Sequence, residues 1–593
     1  MRIHPIAFLY RVVLVLSLGL AALSGLAVAA VYPIVAIVPL GLVAYRRLMR
    51  FEGSDGAFGE ARPSTLGELN ARRQVGGGNG RDIIVGRAAY TGRPTHAEGL
   101  AALVNPAMDS DLACRLFFSG VLGSPLAGQS IVRIRDYVHG AVISPAGGGK
   151  GVGFLIPNAL AYKNPVVIND PQGSIYAASA RVRARRRRVV RLDVFRVMGE
   201  GGDGLNPLDF LPPPNAPDFL DACRDLANML IFRQGTETEP FWNDSAERVL
   251  CVFILFIAAG ERDPARRNLI SVRRLLSSRK SYMATLAVME KMPGIPPLVK
   301  QQGGTLSWLA DRTLDGVLAV VHTQTAWMDG PATAAFLSRS TFDPMDLKKN
   351  KIDIFNILPP EKIETMASLS RVTFGTIIRT ITRGKADERR PVLFLIDEAA
   401  AMGRLRVLEN AVTQLRGYGI RMFFIYQSVN QVTSLYGNNA QTMLGNLNTQ
   451  VWFGTNDYES CEYLSKLIGD CTVTLKTLNE TRGYSHPTGT SAQPQGGSTN
   501  SSTSYNTSET GRRWAKPEEI RCFASDLALV FHKNQPVILC KLLKYFNAPE
   551  FRWGRTGKGR GLGLAGLVLT ALVAAASLWL ASAVTDALAP PRF

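Results

Sequence analysis

Three shortages narrow the reading of this 593-residue chain. Cysteine comes as seven scattered residues (Cys114, Cys223, Cys251, Cys461, Cys471, Cys522 and Cys540) with no C-x-x-C pair. That pattern excludes a disulfide framework and the common zinc sites, and it suits a reducing compartment. Histidine is limited to six residues with no H-E-x-x-H, so a zinc hydrolase signature is absent. Acidic residues are short as well. Asp+Glu number 48 against 67 Lys+Arg, giving a net charge of +19. Partners are therefore expected to be anionic: nucleic acid, phospholipid head groups, or both. The length allows two or three domains, each with its own core.

Charge is missing altogether from Val12 to Tyr45. One straight helix of that length would be about 50 Å long, well beyond the ~30 Å hydrocarbon core of a bilayer. Pro33 and Pro39 would also interrupt it. Two short spans with a turn near Ala29–Pro33 fit better, and Arg2, Arg11, Arg46, Arg47 and Arg50 place both ends on the cytoplasmic side. The competing reading is a secretory signal cut after Ala27–Ala30, although the apolar run continues through that site. A second uncharged run, Gly561–Val584, follows Arg552, Arg555, Lys558 and Arg560. By length it is a span starting in the cytoplasm; its Ala, Gly and Ser content leaves a packed C-terminal helix as the alternative. The apolar stretch Val249–Ala259 is too short to span and reads as a buried core helix.

Between these ends, short β-rich apolar runs alternate with helical patterns: Ala141–Ser144, Pro165–Asp170, Arg188–Asp193, Pro391–Glu398, Ile420–Gln427 and Gln450–Thr455. Runs without polar alternation suit a parallel sheet covered on both faces. From Pro217 to Ser340 the character turns amphipathic and helical, and Leu211–Pro217, "LPPPNAP", leads into it. The expected organisation is a membrane hairpin (1–50), a linker and the start of the cytoplasmic domain (51–135), and an α/β domain in two parts (136–216 and 341–551). That domain is interrupted by an all-α insertion (217–340), and a C-terminal span (561–584) closes the chain. The Ser/Thr/Gly/Asn-rich tract His486–Gly511 predicts a mobile surface loop.

The chemistry starts at Val142–Gly153, "VISPAGGGKGVG". It nearly fits the phosphate loop G-x-x-x-x-G-K-[ST]. Gly149 and Lys150 are in place, but Ser144 stands at the first glycine and Gly151 at the magnesium-binding hydroxyl. With a strand before it and a helix pattern after it, Ser144, Pro145, Ala146, Gly147, Gly148, Gly149, Lys150 and Gly151 are expected to cradle phosphates. Backbone N–H groups and the helix N-terminus would hold the oxygens, and Lys150 would reach the terminal phosphates. "VLFLIDE" supplies the partner: four apolar residues, then Asp397 to hold Mg²⁺ through water and Glu398 to orient and deprotonate the attacking water. The pair predicts a P-loop nucleotide site binding ATP and Mg²⁺.

These segments, together with "GLNPLDF" (Gly204–Phe210), "FWNDSAERVL" (Phe241–Leu250), "LIDEAAAMGRL" (Leu395–Leu405), "YGIRMFFIYQSVNQVTSLYG" (Tyr418–Gly437), "VWFGTNDYESCEYLSKLIGDCTV" (Val451–Val473) and "KPEEIR" (Lys516–Arg521), resemble the type IV secretion coupling proteins. These are TraG-like conjugative ATPases of the RecA/FtsK type. The resemblance covers most of Val142–Phe551. It implies a RecA-like P-loop NTPase domain with an inserted all-α domain, anchored in the bacterial inner membrane with the ATPase in the cytoplasm. It also implies a homo-hexamer with a central channel. Its implied partners are secretion channel components and either a relaxase or relaxosome with single-stranded DNA, or protein effectors. The alternative is an adaptor that binds nucleotide but docks effectors without pumping DNA; the long helical insertion argues against a septal DNA pump. The resemblance puts Arg416 at the arginine finger and Gln427 at the glutamine ending the next strand. On its own, Arg416 also reads as a basic helix end. Glycine after the lysine is tolerated in the family. "NDPQGSIY" (Asn169–Tyr176) departs from it, lacking a lysine and a glutamate around the glycine, and the C-terminal apolar run is unusual. The arginine run Arg181–Arg191 reads either as a contact for DNA phosphate or membrane, or as a solvated helix end.

Overall fold

The computed structural model describes residues 59–551, apart from 76–77, 90–130, 234–238, 292–293, 295, 308–309, 405–407, 410–411, 413–414, 486–497 and 549–550. The chain forms two compact units. Among the described residues the larger lies within 62–469 and 514–551; the smaller takes 59–61, 470–485 and 498–513.

The larger unit is built on an eleven-stranded sheet. Its strands are β1 (Ile83–Ala88), β2 (Ile131–Ile134), β3 (His139–Ile143), β4 (Val166–Asp170), β5 (Arg188–Asp193), β6 (Ile352–Ile357), β7 (Val392–Ile396), β8 (Ile420–Tyr426), β9 (Thr449–Phe453), β12 (Leu527–His532) and β13 (Ile538–Lys541). The smaller unit supplies β10 (Asp470–Ser485) and β11 (Ser498–Arg513). The sheet order is β2-β1-β13-β12-β9-β3-β8-β7-β4-β6-β5. The seven strands from β9 to β5 are all parallel, and the other four pair antiparallel. Strands β3, β4, β6, β7 and β9 are buried along their whole length, as a parallel sheet covered on both faces requires. β3 sits where the chain order reverses, with β8 on one side and β9 on the other, the place where open α/β sheets take their ligands.

The six strands expected from the sequence are present within a residue or two of their ends. Five others in this sheet, β1, β2, β6, β12 and β13, were not expected. β6 carries a charge at its second residue and Asn356 near its end, and these hid it. Asp353 is wholly buried, and its carboxylate takes Arg183 Nε at 2.7 Å, Arg187 NH1 at 3.0 Å and the Val166 amide at 2.9 Å. Arg183 and Arg187 also donate to the carbonyls of Ala159, Tyr162, Lys163 and Asn164. The arginine run therefore divides: Arg183 and Arg187 are internal struts, Arg191 donates to the Met198–Glu200 carbonyls and lies over the Tyr176 ring, and Arg181, Arg185, Arg186 and Arg188 stay exposed, as at a solvated helix end. A guanidinium can be buried only where carboxylate and carbonyl oxygens replace its water.

Between β5 and β6, seven α-helices are described: α1 (Phe219–Leu230), α2 (Pro240–Gly260), α3 (Leu269–Leu275), α4 (Arg279–Lys291), α5 (Pro297–Leu306), α6 (Asp311–Thr325) and α7 (Pro331–Leu337). α2 is buried from Val249 to Leu255 and forms the centre of this segment. α8 (Ala367–Arg383), which follows β6, is buried along nearly all its length.

In the smaller unit β10 and β11 pair antiparallel in continuous register, Asp470 with Arg513 through Ser485 with Ser498. This corrects the loop expectation over 498–511; 486–497 lie outside the described residues. A long ladder satisfies backbone N–H and C=O groups by itself, a gain that composition alone does not register. Gly59 lies against the ribbon's base. The Thr472 amide donates to its carbonyl at 3.1 Å, and a Cβ on Gly59 would sit 2.3 Å from the Asp470 oxygen. Among the described residues no helix is long and apolar enough to cross a membrane. Both expected membrane segments, 1–50 and 561–584, lie outside them.

The Asp353 cluster gives the first prediction. Asp353→Asn leaves two buried guanidiniums short of their counter-charge and is expected to cost about 3–5 kcal/mol. Arg185→Ala, on the exposed side of the same run, should change little. Melting of the two purified variants checks this, and equal midpoints would refute the buried cluster.

Candidate nucleotide site

The site forms where three neighbouring parallel strands end. β3 runs into the loop Ser144–Lys150, β7 into Asp397 and Glu398, and β8 into Gln427. β8 lies between β3 and β7, so the two motif strands are separated by one strand. All seven loop residues leave β3 at its C-terminal end, and Ser144 continues the ladder by donating its amide to the Tyr426 carbonyl at 3.0 Å.

Two glycines of the loop need their freedom: Gly147 has φ +76° and Gly149 φ +95°. Gly148 is required for a different reason. A Cβ there would lie 2.2 Å from Ser144 Oγ. Ser144 is wholly buried, and its hydroxyl finds no partner. The missing first glycine is thus replaced by a small residue whose hydroxyl fits only beneath a bare backbone. After Lys150 the chain winds a π-helical turn, Gly151–Leu155, before a short α-helix, Ile156–Ala161. A Cβ on Gly151 would meet nothing within 4 Å, so this position has open space beside it.

Lys150, Asp397, Glu398 and Gln427 converge. Lys150 Nζ lies 2.5 Å from Glu398 Oε1 and 3.6 Å from Asp397 Oδ1. Gln427 Nε2 donates to the other oxygen, Glu398 Oε2, at 3.0 Å. Glu398 is left-handed, with φ +52° and ψ +47°, a conformation that costs a non-glycine residue about 1–3 kcal/mol. Asp397 is pushed up to about 6, chiefly by burial; Lys150 opposes that shift, and Glu398 and Asp170 add to it. A buried carboxylate held this reluctantly as an anion favours a cation beside it, so Asp397 fits the magnesium role. The lysine is engaged by a carboxylate of its own chain, and nucleotide phosphate would have to displace that contact.

Residues not singled out from the sequence complete the surroundings. Asn169, at the end of β4, donates Nδ2 to the Asp397 carbonyl at 2.7 Å. Asp170, next along, accepts the Tyr176 amide at 2.7 Å and caps the helix Ser174–Arg183. Gln172 and Ser174, which flank the glycine of the divergent "NDPQGSIY", are exposed on this turn. Their signal in the sequence was that divergent motif; the role of Asn169 had none. The segment after β13 packs on the loop helix, with the Tyr545 amide donating to the Val152 carbonyl at 3.1 Å.

Arg416 is elsewhere. It lies in the 3₁₀ turn Leu415–Tyr418 before β8, with Nε 3.5 Å from Glu388 Oε1, and it is 65% exposed. The seven residues of β8 separate it from Gln427, roughly 20 Å of strand, at the opposite end of the sheet from Glu398.

Comparison with known proteins gives concordant results. A family model described as type IV secretory system conjugative DNA transfer matches residues 116–558. The conjugal transfer protein TraG of Agrobacterium fabrum is 26% identical over 71% of this chain and 63% of its own. Protein VirD4 of the same organism is 27% identical over 69% and 59%. The type IV secretion system-coupling protein VirD4 of Bartonella quintana is 23% identical over 70% and 63%. The chain thus spans about six-tenths of the length of these relatives. Among solved structures, the trigonal form of the bacterial conjugative coupling protein TrwBdeltaN70 with sulphate superposes with TM-score 0.51. It is 16% identical and covers 83% of this chain and 96% of its own. The plasmid coupling protein TrwB with a non-hydrolysable ATP analogue gives 0.50 at 16% identity, over 68% and 85%. These likenesses carry the fold alone, a mixed α/β sheet with a parallel centre.

The loop packing predicts that Gly148→Ala weakens nucleotide binding at least ~10-fold, because the new Cβ has no room over Ser144. Pairing it with Ser144→Gly should recover part of that loss. Titration of a fluorescent nucleotide measures both, and a Gly148→Ala protein that binds normally would show the loop to be open there.

Proposed function

The chain belongs to the type IV secretory system conjugative DNA transfer family, and on that premise we propose a membrane-anchored ATPase that couples substrate to a type IV secretion channel. The observation that carries the proposal is the convergence of Lys150, Asp397, Glu398 and Gln427 at the ends of β3, β7 and β8. An aimed lysine, a buried carboxylate and a second carboxylate fixed by a neutral amide form a phosphoryl-transfer site in outline. The helices from Phe219 to Leu337 are read as the inserted domain, and the segments at 1–50 and 561–584 as the membrane anchors.

ATP is the proposed nucleotide, held by the backbone of Ser144–Gly151. Lys150 leaves Glu398 for the terminal phosphates, and charge neutralisation there lowers the cost of transfer. Bound Mg²⁺, held through Asp397, would supply further charge stabilisation. Freed of the lysine, Glu398 accepts the proton of the attacking water, and Gln427 keeps its other oxygen in place. Arg416 cannot reach this site in its own chain and is proposed to complete a neighbour's, in a homo-hexamer around a channel. The cargo is proposed to be relaxase-bound single-stranded DNA, consistent with the family and the +19 charge.

Two predictions separate these roles. Lys150→Ala should abolish ATP binding. Glu398→Gln should bind ATP at least as tightly as the unaltered protein, because the lysine no longer has a carboxylate to leave, yet lose hydrolysis. Normal turnover by Glu398→Gln would remove its assignment as base. Arg416→Ala should bind ATP at its own loop and lose ~10³–10⁵ in rate. Mixing Arg416→Ala with Glu398→Gln subunits, each inactive alone, should restore part of the activity at interfaces that pair two intact groups. A mixture as inactive as its parents would make Arg416 a structural residue.

A further inference from the structure

Glu398 meets Lys150 and Gln427 from a left-handed backbone, and something must hold a non-glycine residue there. A small cavity lined in part by Asn169, Ser370, Glu398 and Met402 lies against the turn, while Ala399 and Met402 are buried in the core. Hydrogen bonds hold the turn at both ends. Ahead of Glu398, the Asp397 carbonyl accepts Asn169 Nδ2 at 2.7 Å. Asn169 is itself oriented, since its Oδ1 accepts Asn356 Nδ2 at 2.9 Å, and Asn356 Nδ2 also lies 3.3 Å from Ser370 Oγ. Both asparagines are almost fully buried, at 6% and 4% exposure.

Behind Glu398, the 3₁₀ turn Ala399–Met402 is held by Arg371. NH1 donates to the carbonyls of Met402 at 3.0 Å and Arg404 at 2.8 Å. The rest of the guanidinium donates to the carbonyls of Asn228, Met229 and Ile231 at the end of α1, and it lies over the Phe232 ring. Arg371 is wholly buried, and every one of these partners is a carbonyl. Ser370 and Arg371 are consecutive residues of α8, so one turn of one helix reaches both ends of the Glu398 turn.

We propose that Asn169 and Arg371 are positioning residues for Glu398, fixing the left-handed turn that aims its carboxylate at the attacking water. This rests on Glu398 being the base. Asn169 fixes the peptide that precedes the base. Arg371 fixes the turn that follows it and ties that turn to the first helix of the segment between β5 and β6. Neither side chain touches the nucleotide in this scheme; each acts through Glu398 alone.

The test is a kinetic cycle on the full-length protein. Asn169→Ala should lower kcat by ~10–100-fold, the loss expected when a catalytic group is misplaced by about an ångström. KM and the affinity for the non-hydrolysable analogue ADPNP should stay within about three-fold. Asn169→Asp keeps the volume but sets an acceptor against the Asp397 carbonyl, and it should lose as much or more. Added to Glu398→Gln, Asn169→Ala should cause no further loss in single-turnover rate, because the group it positions is already gone. Arg371→Lys, which keeps the charge but offers fewer donors, should show the same pattern, with its melting checked alongside. An equal loss in the Glu398→Gln background, or a parallel loss of ADPNP affinity, would overturn the positioning role while leaving Glu398 as the base. If Glu398→Gln turned over normally, the base assignment itself would fall, and this role with it.

Discussion

One buried carboxylate sets the geometry on which the site depends. Asp353 holds the Val166 amide at the start of β4, Arg183 at the end of the helix before β5, and Arg187 in the turn leading into β5. Asp353 itself lies in β6. A single anion therefore pins the N-terminal edges of three adjacent parallel strands. Once those edges are fixed, strands of similar length end together on the other side, which is where Asn169, Asp170 and Asn356 are needed. Two positive charges and one negative charge in a dry interior would be unfavourable as bare ions. The carbonyls of Ala159, Tyr162, Lys163 and Asn164 supply the missing solvation.

The same economy recurs at the far edge. Lys150 sits against Glu398 and close to Asp397, so the positive charge that the proposed nucleotide would need is paired with the protein's own carboxylates. This contact has two consequences. It keeps a largely buried lysine and glutamate from being unpaired charges, and it would make entry of the proposed nucleotide an exchange of partners rather than the filling of an empty socket. Asp397 gains less from the lysine, at 3.6 Å, and burial leaves it pushed up to about 6. Under the proposed function, the open position at Gly151 and the reluctant anion at Asp397 belong together: with no hydroxyl on the loop, the carboxylate would be the hard ligand offered on this side.

Much of this was legible in the sequence because strand and motif coincide. Apolar runs ending in "SPAGGGK", "DE" and "Q" locate three strand ends, and parallel strands bring such ends together. What stayed hidden was polar. β6 carries Asp353 and Asn356, which broke its apolar signature, and the arginines that neutralise Asp353 looked like surface charge. β10 and β11 are stabilised by backbone pairing in a tract whose side chains read as loop. Asn169 and Arg371 gave no signal, since their partners are carbonyl oxygens and every residue has one. Single-sequence patterns register side-chain hydrophobicity, so interactions addressed to the backbone escape them.

The position of Arg416 follows from the same topology. A residue before a parallel strand and a residue after it are separated by the whole strand, so Arg416 and Gln427 lie at opposite edges of the sheet however the side chains turn. No rotamer of Arg416 spans roughly 20 Å, and bending β8 to shorten that path would break its pairing with both β3 and β7. Its nearest acid, Glu388, is itself half-exposed, so the guanidinium is not committed to the fold as Arg183 and Arg371 are. Within one chain, then, the arginines divide by burial. The caged ones shape the sheet and the Glu398 turn, while Arg416 stays exposed at the end of the sheet opposite the phosphate loop.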